Sequence, residues 1–541
     1  MILMLYEVYM FDYIIVGGGS AGGVLANRLS ENVNNKVCLI EAGSADSSVF
    51  VSTPGAFGAH MYMRKFNWGF NSQPDDGTNS RGQFCPRGKG LGGSSSINAM
   101  VYTRGHSSDY DHWAALGNPG WGFKDVLPLF KKSEDNENGA NEYHGEGGLL
   151  SVSSVDRNYY KLEDMFITAA QEAGVPFRNE FNSDELEGIG NYQFTIKNGQ
   201  RAGVRKCYIE PALQRENLTV IAEALATKVL IENKKAVGVQ YQQQGELKEA
   251  FASQEVIVSG GTYNSPQLLM LSGIGNKDEL EKFGIECVHD LKGVGENLQE
   301  HPTVSVVCGS LKKDGFSLSL GAQATRTKEL IQFVLGKKGP LKHSVTRVGG
   351  YLKSSNDVEV PDVQVHYVPI LFDDHGRNLD LLFQHGFTAE LNVCRPKSVG
   401  QVTLRNANPA SDPLIKLNLL DDPYDLDILV KAVKKVREIY NMPAYSEHKG
   451  EELFPGKDCK TDEDIAQAIR DKVSHVYHPV GTCKMGNDDM AVVDASLKVY
   501  GIESLRVADA SIMPQLISAN TNAPTIMIGE KAAEMILADG G

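Results

Sequence analysis

The apolar positions set the first elements of the chain. Phe11 to Val16 is apolar at nearly every position and stops at a cluster of glycines. A short continuous apolar run bounded by turn residues marks a strand buried on both faces. Val24 to Leu29 follows with helical spacing, and Lys36 to Ile40 is a second strand of the same kind. Strand, glycine turn, helix and strand in that order predict the start of a parallel sheet. Asp109 to Lys132 and Lys161 to Ala173 read as helical, with Trp113 and Trp121 as core residues. Leu218–Ala222, Lys228–Glu232 and Ala236–Tyr241 are expected to form a three-stranded meander, and Glu255 to Ser259 another buried strand. After Gly260-Gly261-Thr262, Ser265-Pro266 is expected to open a helix through Met270, so a second strand–glycine–helix unit joins the first sheet.

From residue 306 to about 470 the pattern changes. Asp362–Val368 and Gln401–Leu404 alternate as strands of a mostly antiparallel sheet, and Asp425 to Tyr440 is an amphipathic helix. The helical period returns at Pro524 to Leu537 after a strand-like stretch, Leu505 to Asp509. The expected fold is therefore α/β plus α+β. A Rossmann-like nucleotide-binding domain takes residues 10–155, 201–305 and 471–541, and a substrate domain takes 156–200 and 306–470.

Composition narrows the function. A formal net charge of −15 on 541 residues argues against a nucleic-acid partner. Eight cysteines without a C-x-x-C pair argue against a zinc site or a disulfide framework and suit a reducing compartment. The opening Met1–Tyr9 is apolar but lacks the basic residues of a signal peptide, and reads as a short extension with Met10 as an alternative start. With no apolar run long enough to span a bilayer, the expected location is the cytoplasm, with at most a peripheral place at the inner membrane.

The candidate chemistry lies in four stretches. Gly17, Gly19 and Gly22 form G-x-G-x-x-G between strand and helix. The first two allow a tight turn and close approach of a pyrophosphate, and the third lets the helix pack on the strand. Glu41 ends the second strand nineteen residues past Gly22, where a carboxylate can accept from ribose hydroxyls. That combination points to a dinucleotide without separating FAD from NAD. The long stretch from Gly43 ends in Gly88-Lys89-Gly90-Leu91-Gly92-Gly93-Ser94, small residues suited to backbone pressed against a flat ligand. Near the end, His478-Pro479-Val480-Gly481 and Ala519-Asn520-Thr521-Asn522 offer a group that can accept a proton near neutral pH and an amide beside it. Taken alone, these two residues read equally as a turn and a helix cap.

Together and in this order, the motifs resemble the glucose–methanol–choline (GMC) family of flavin oxidoreductases over essentially the whole chain. Gly88 to Asp111 is similar to its first signature and Gly261 to Gly275 to its second, while Val294 to Leu298 and the His478 and Asn520 motifs also fit. The resemblance implies FAD, a flavin fold of the p-hydroxybenzoate-hydroxylase type, and oxidation of a primary alcohol to the aldehyde or onward to the acid. Electrons would pass to O2, a quinone or another respiratory carrier. It also implies roles: His478 as base, Asn520 holding the same oxygen, and the C-terminal helix aiming its positive end at the flavin. The implied cofactor contacts begin with Gly17, Gly19, Ser20, Ala21, Gly22, Glu41, Ala42, Trp68, Arg87 and Gly88. They continue through Leu91, Gly92, Gly93, Ser94, Asn98, Ala99, Met100 and Val101, then Val229, Gly260, Ala508, Asp509, Asn520, Thr521 and Asn522. Val229 would bond adenine through its backbone.

Some relatives attach the flavin through a histidine in the first signature. Ser95-Ser96-Ile97-Asn98-Ala99 has none, so FAD is expected to be noncovalent. The substrate side would carry Tyr477, His478, Asn520 and Arg347. Arg347 stands where choline-oxidising relatives commonly have glutamate, and is either a cation facing the substrate, which would disfavour choline, or half of a structural ion pair. Alternatives are choline dehydrogenase proper and a non-redox lyase that retains FAD. A nicotinamide enzyme would share the first glycine motif but would not need the second signature.

Overall fold

A computed structural model describes residues 9–46, 48–56, 58, 63–336, 338–373, 376 and 378–540. The extension expected at Met1–Tyr9 lies outside them except for Tyr9, which begins the first strand.

Two seven-stranded sheets border one cavity, the first mainly through the carboxyl ends of its parallel strands, at Val16, Ile40 and Ser259. In the first, the strands run Leu218–Ile221, Val37–Ile40, Tyr9–Val16, Glu246–Val258, Lys235–Gln243 and Ala224–Glu232, and Leu505–Val507 also pairs with Glu246–Val258. The first four are mutually parallel, and the apolar runs Tyr13–Val16 and Val37–Ile40 are fully buried, as parallel strands covered on both faces are. Leu218–Ile221 therefore does not open a meander. It pairs in parallel with Val37–Ile40, while the meander is Ala224–Glu232, Lys235–Gln243 and the first half of one 13-residue strand, Glu246–Val258. The stretch read as a separate strand at Glu255–Ser259 is the buried end of that strand, which runs parallel to both Tyr9–Val16 and Leu505–Val507. The solvated first half has no core-facing pattern, which hid its continuity from periodicity.

The helix after it also starts earlier than expected, at Gly261, and runs to Leu271 with Pro266 inside it. Proline removes the N–H that would bond the carbonyl of Thr262. The Thr482 hydroxyl takes that carbonyl instead, at 2.6 Å. A defect in one helix thereby becomes the anchor of the loop that carries His478.

The second sheet is antiparallel throughout: Lys449–Phe454, Pro302–Ser310, Gly386–Val393, Val363–Val368, Val348–Leu352 and Gly188–Asn191, with Ser474–His475 also on Pro302–Ser310. Gln401–Thr403 is not part of it and pairs with Leu414–Lys416 in a ribbon of its own. Alternation divides the two faces of the sheet. Val363, Val365, Tyr367, Ala389 and Leu391 pack on the helices Lys161–Glu172 and Pro423–Tyr440. Phe166 stacks on Tyr367 with ring centroids 4.3 Å apart. The intervening Gln364, His366, Glu390 and Asn392 lie on the other face, where His366 and Glu390 line the cavity. This face of the sheet is its roof.

Candidate active site

A cavity of about 630 Å³ runs from Glu41 and the first glycine turn to His478 and Asn520. At its nucleotide end the glycines are sterically forced. Gly17 has φ +104°, and a Cβ there would lie 2.4 Å from the Ser259 carbonyl oxygen. A Cβ on Gly22 would lie 1.9 Å from the oxygen of Gly17. Glu41 accepts from the N–H of Gly18 at 2.8 Å through Oε2, and from Gly43 and Gly90 at 2.8 and 2.9 Å through Oε1. The carboxylate thus ties the glycine-rich Gly88–Ser94 stretch to the first turn, and Oε2 keeps a lone pair for a ribose hydroxyl. Two helices, Gly22–Leu29 and Asn522–Asp539, begin at this cavity with no side chain capping them. Uncapped first-turn N–H groups are the donors that a pyrophosphate and an anionic flavin ring require. Ser20 Oγ donates to Asn522 Oδ1 at 2.9 Å and holds the two starts together.

At the other end, His478 and Asn520 meet. Asn520 Nδ2 lies 3.1 Å from His478 Nε2, and Asn520 Oδ1 accepts from Thr103 Oγ1 and Gln364 Nε2 at 3.1 and 3.0 Å. Two donors on the oxygen fix the amide orientation, so Nδ2 donates to His478. On its other side His478 Nδ1 lies 3.0 Å from His301 Nδ1. Among the described residues His301 Nε2 faces only carbonyls, those of Cys394 at 3.1 Å and Ile517 at 3.0 Å, so it carries a proton. Burial pushes the His301 pKa down, so the ring is neutral and its Nδ1 accepts. His478 must then be protonated on Nδ1, and its unprotonated Nε2 accepts from Asn520. Burial, followed by the neighbouring His301, His366 and Arg87, holds the His478 pKa well below its usual value. It is a base in its free form.

The backbone is held just as firmly. Glu300 Oε1 accepts from the N–H of His478 at 2.7 Å and of His301 at 2.9 Å, and its Oε2 pairs with His475 Nδ1 at 3.1 Å. Burial alone would lower the His475 pKa, but Cys85 and Glu300 reverse this and raise it to about 10. Tyr477 sits at φ +68°, a strained conformation for a bulky residue, immediately before the base. Asp109 collects the N–H and hydroxyl of Ser518 at 2.9 and 2.6 Å and Arg395 Nε at 2.7 Å, which fixes the loop leading to Asn520.

Models of the GMC oxidoreductase family match residues 11–303 and 396–529. The chain belongs to that family. It is 43% identical over 531 residues to the alcohol dehydrogenase [acceptor] of Pseudomonas putida, covering 98% of this chain and 96% of that one. It is 40% identical over 530 residues to an oxygen-dependent choline dehydrogenase of Brucella anthropi, covering 97% and 95%. Among solved structures, pyridoxine 4-oxidase from Mesorbium loti superposes with a TM-score of 0.87 at 27% identity, covering 97% and 98%. An FAD-dependent oxidoreductase from Chaetomium thermophilum reaches 0.89 at 26% identity, covering 98% and 99%. FAD is accordingly the cofactor, and the chain is an oxidoreductase acting on alcohol CH–OH groups, as the expected family and fold class implied.

Within this GMC fold the cavity wall includes Gly17, Gly19, Ser20, Ala21, Glu41, Ala42, Trp68, Arg87, Gly88, Gly93, Ser94 and Asn98 to Val101, together with Gly260, Asp509 and Asn520 to Asn522. Gly22, Leu91, Gly92, Val229 and Ala508 are not in the wall. Gly92 N–H goes to the Gly18 carbonyl at 2.7 Å, and Ala508 N–H to the Val258 carbonyl at 2.9 Å. The Val229 N–H goes to Ser272 Oγ at 2.8 Å, which leaves its carbonyl as the backbone group for adenine, and Ala224 to Ala226 form the wall.

Arg347 also needs correction as a bare cation. It reaches the cavity, but its Nη2 lies 2.7 Å from Glu163 Oε1, its Nη1 bonds the Ser344 carbonyl at 3.0 Å, and Tyr159 and Tyr160 flank it. The charge is compensated, and the argument it offered against choline lapses. Sequence reasoning gave no role to Glu300, His301, Thr103, Gln364, His366, Glu390 or Asp109. Glu300-His301 adjoin a recognised glycine motif, so a signal was present. Gln364, His366 and Glu390 are recognisable only once the sheet faces are known.

Proposed function

We propose that this GMC oxidoreductase oxidises primary alcohols bearing an apolar tail to the aldehyde, with His478 as base. The observation that carries the reading is the chain from the Cys394 and Ile517 carbonyls through His301 to His478, which leaves Nε2 unprotonated and aimed at Asn520. An alcohol oxygen seated beside both nitrogens gives its proton to Nε2 and accepts from the second N–H of Asn520 Nδ2. The bound flavin supplies the hydride acceptor, at N5. Deprotonation by a fixed neutral imidazole typically contributes ~10² to 10⁴-fold. The outer cavity is walled by Phe316, Leu341, Val345, Val368, Ile370 and Phe372, which suits an alkyl or aryl tail better than a polar headgroup. FAD is held noncovalently, since no histidine occupies residues 95–99. Electrons leave to O2 or a quinone, in the cytoplasm or at the inner-membrane face.

The test is anaerobic mixing of FAD-loaded enzyme with a series of primary alcohols and with choline, followed by air or a quinone. Burial of each added methylene is worth ~0.8 kcal/mol, so kcat/KM should rise about three- to four-fold per carbon until the cavity is full. Efficient choline turnover with no chain-length response would move the reading to choline dehydrogenase proper. Failure of every alcohol to bleach the flavin would favour a non-redox lyase. His478→Ala should retain FAD and lose at least about two orders of magnitude in bleaching rate, and an unchanged rate would remove His478 from the mechanism.

A further inference from the structure

The helix Gln323–Gly336 has its apolar face turned outward. Its inner side carries Phe333, which is buried, with Arg326 and Glu329 paired at 2.7 Å. Its outer side exposes Leu330 and Val334, and Ile331 and Leu335, two i,i+4 pairs, with Leu335 82% exposed. Leu320, just ahead of the helix, is 93% exposed, and Leu379 and Phe383 are more than half exposed. Soluble surfaces scatter such residues singly, whereas a continuous patch rimmed by polar groups marks something that covers it.

Charge indicates what that is. The chain carries −15, yet residues 311–342 hold seven Lys or Arg against Asp314 and Glu329, a local net charge of +5. Lys312 pairs with Glu447, and Lys342 with Asp156. Lys313, Lys328 and Lys338 are exposed and make no ion pair among the described residues. Lys313 Nζ lies 3.6 Å from where a Cβ on Gly321 would stand, beside Leu320. Among the described residues no helix is long and apolar enough to cross a membrane. An exposed apolar stripe edged by free lysines is the pattern of a helix lying in a bilayer interface. The same segments border the cavity, through Phe316, Glu329, Leu341 and Leu379.

We propose that the outer face of Gln323–Gly336, with Leu320, Lys313, Lys328 and Lys338, docks the cavity mouth on an anionic lipid bilayer. A mouth held there takes an apolar alcohol from the lipid rather than from water. That consequence rests on the proposed function, but the docking does not.

The experiment is co-sedimentation of FAD-loaded enzyme with vesicles of phosphatidylcholine alone or with one-quarter phosphatidylglycerol, at low and high salt. Binding is expected only to the anionic vesicles and should weaken as salt screens the lysines. Each juxtamembrane lysine is worth roughly a factor of five, so a Lys313→Gln, Lys328→Gln, Lys338→Gln variant should bind about a hundred-fold more weakly. A Leu330→Ser, Val334→Ser, Leu335→Ser variant should also lose binding. Both should keep wild-type turnover of a short water-soluble alcohol, which separates loss of docking from loss of fold or catalysis. No binding to anionic vesicles, or binding unchanged in both variants, overturns the proposal. So does a concentration-dependent dimer that the leucine and valine substitutions dissolve, since a second copy would then be the occupant.

Discussion

Replacing His301 tests the tautomer argument directly. In His301→Leu the His478 Nδ1–H loses the acceptor it has at 3.0 Å, the one found for it among the described residues, in a buried site. An unsatisfied buried donor costs about 1–3 kcal/mol. Moving the proton to Nε2 relieves that cost but sets an N–H against Asn520 Nδ2, whose amide cannot turn because Thr103 and Gln364 hold its oxygen. The lost bond to Asn520 opposes the shift by about 0.5–1.5 kcal/mol. The balance, about 1 kcal/mol at the centre of these ranges, depletes the competent tautomer by roughly five-fold, and by up to about seventy-fold at their upper end. In His301→Gln a side-chain oxygen can accept from Nδ1–H, and most of the loss should be recovered. The assay is anaerobic stopped-flow bleaching of the flavin with a saturating alcohol, alongside FAD content and melting temperature. A His301→Leu enzyme that is loaded, folded and as fast as wild type would refute the reasoning. A His301→Gln enzyme as slow as the leucine variant would assign the effect to packing rather than to the acceptor.

FAD should be released into the supernatant on acid or heat precipitation, and colour kept in the pellet would contradict noncovalent binding. Glu163→Gln should destabilise the fold by about 3–5 kcal/mol, because it leaves Arg347 buried without its partner; a variant whose denaturation midpoint does not move would return Arg347 to the cavity as a free cation. His144 is buried between Glu134 and Glu180, both at 3.0 Å; burial works to lower its pKa, but these carboxylates raise it to about 9. Its contribution of about 2–3 kcal/mol is therefore fully present below pH ~6.5 and lost as pH rises through 9, so the urea midpoint should fall over that window in wild type and stay flatter in His144→Asn. Burial raises Glu390, which lines the cavity, to about 7; a step in kcat/KM near neutral pH should disappear in Glu390→Gln, and persistence of the step would assign it to another group.

What the sequence determined by itself is what acts over a few residues. Gly17 and Gly22 are legible because their turn needs a positive φ at Gly17 and leaves no room for a Cβ on Gly22 beside the Gly17 carbonyl, and Glu41 because it ends a strand whose period is visible. The Pro423–Tyr440 helix and the alternation of Val363–Val368 are legible for the same reason: each element faces one core, and its apolar period records that face. The tertiary structure alone decided which groups compensate one another. Arg347 could be read as a free cation or a paired one until Glu163 was found opposite it, 184 positions earlier in the chain. The carbonyl freed by Pro266 is taken by Thr482, and the protonation of His478 is set through His301 by two carbonyls on other segments. Hydrogen bonds and ion pairs in a low-dielectric interior depend on distance and direction in space, and neither is written in the spacing of residues along a chain.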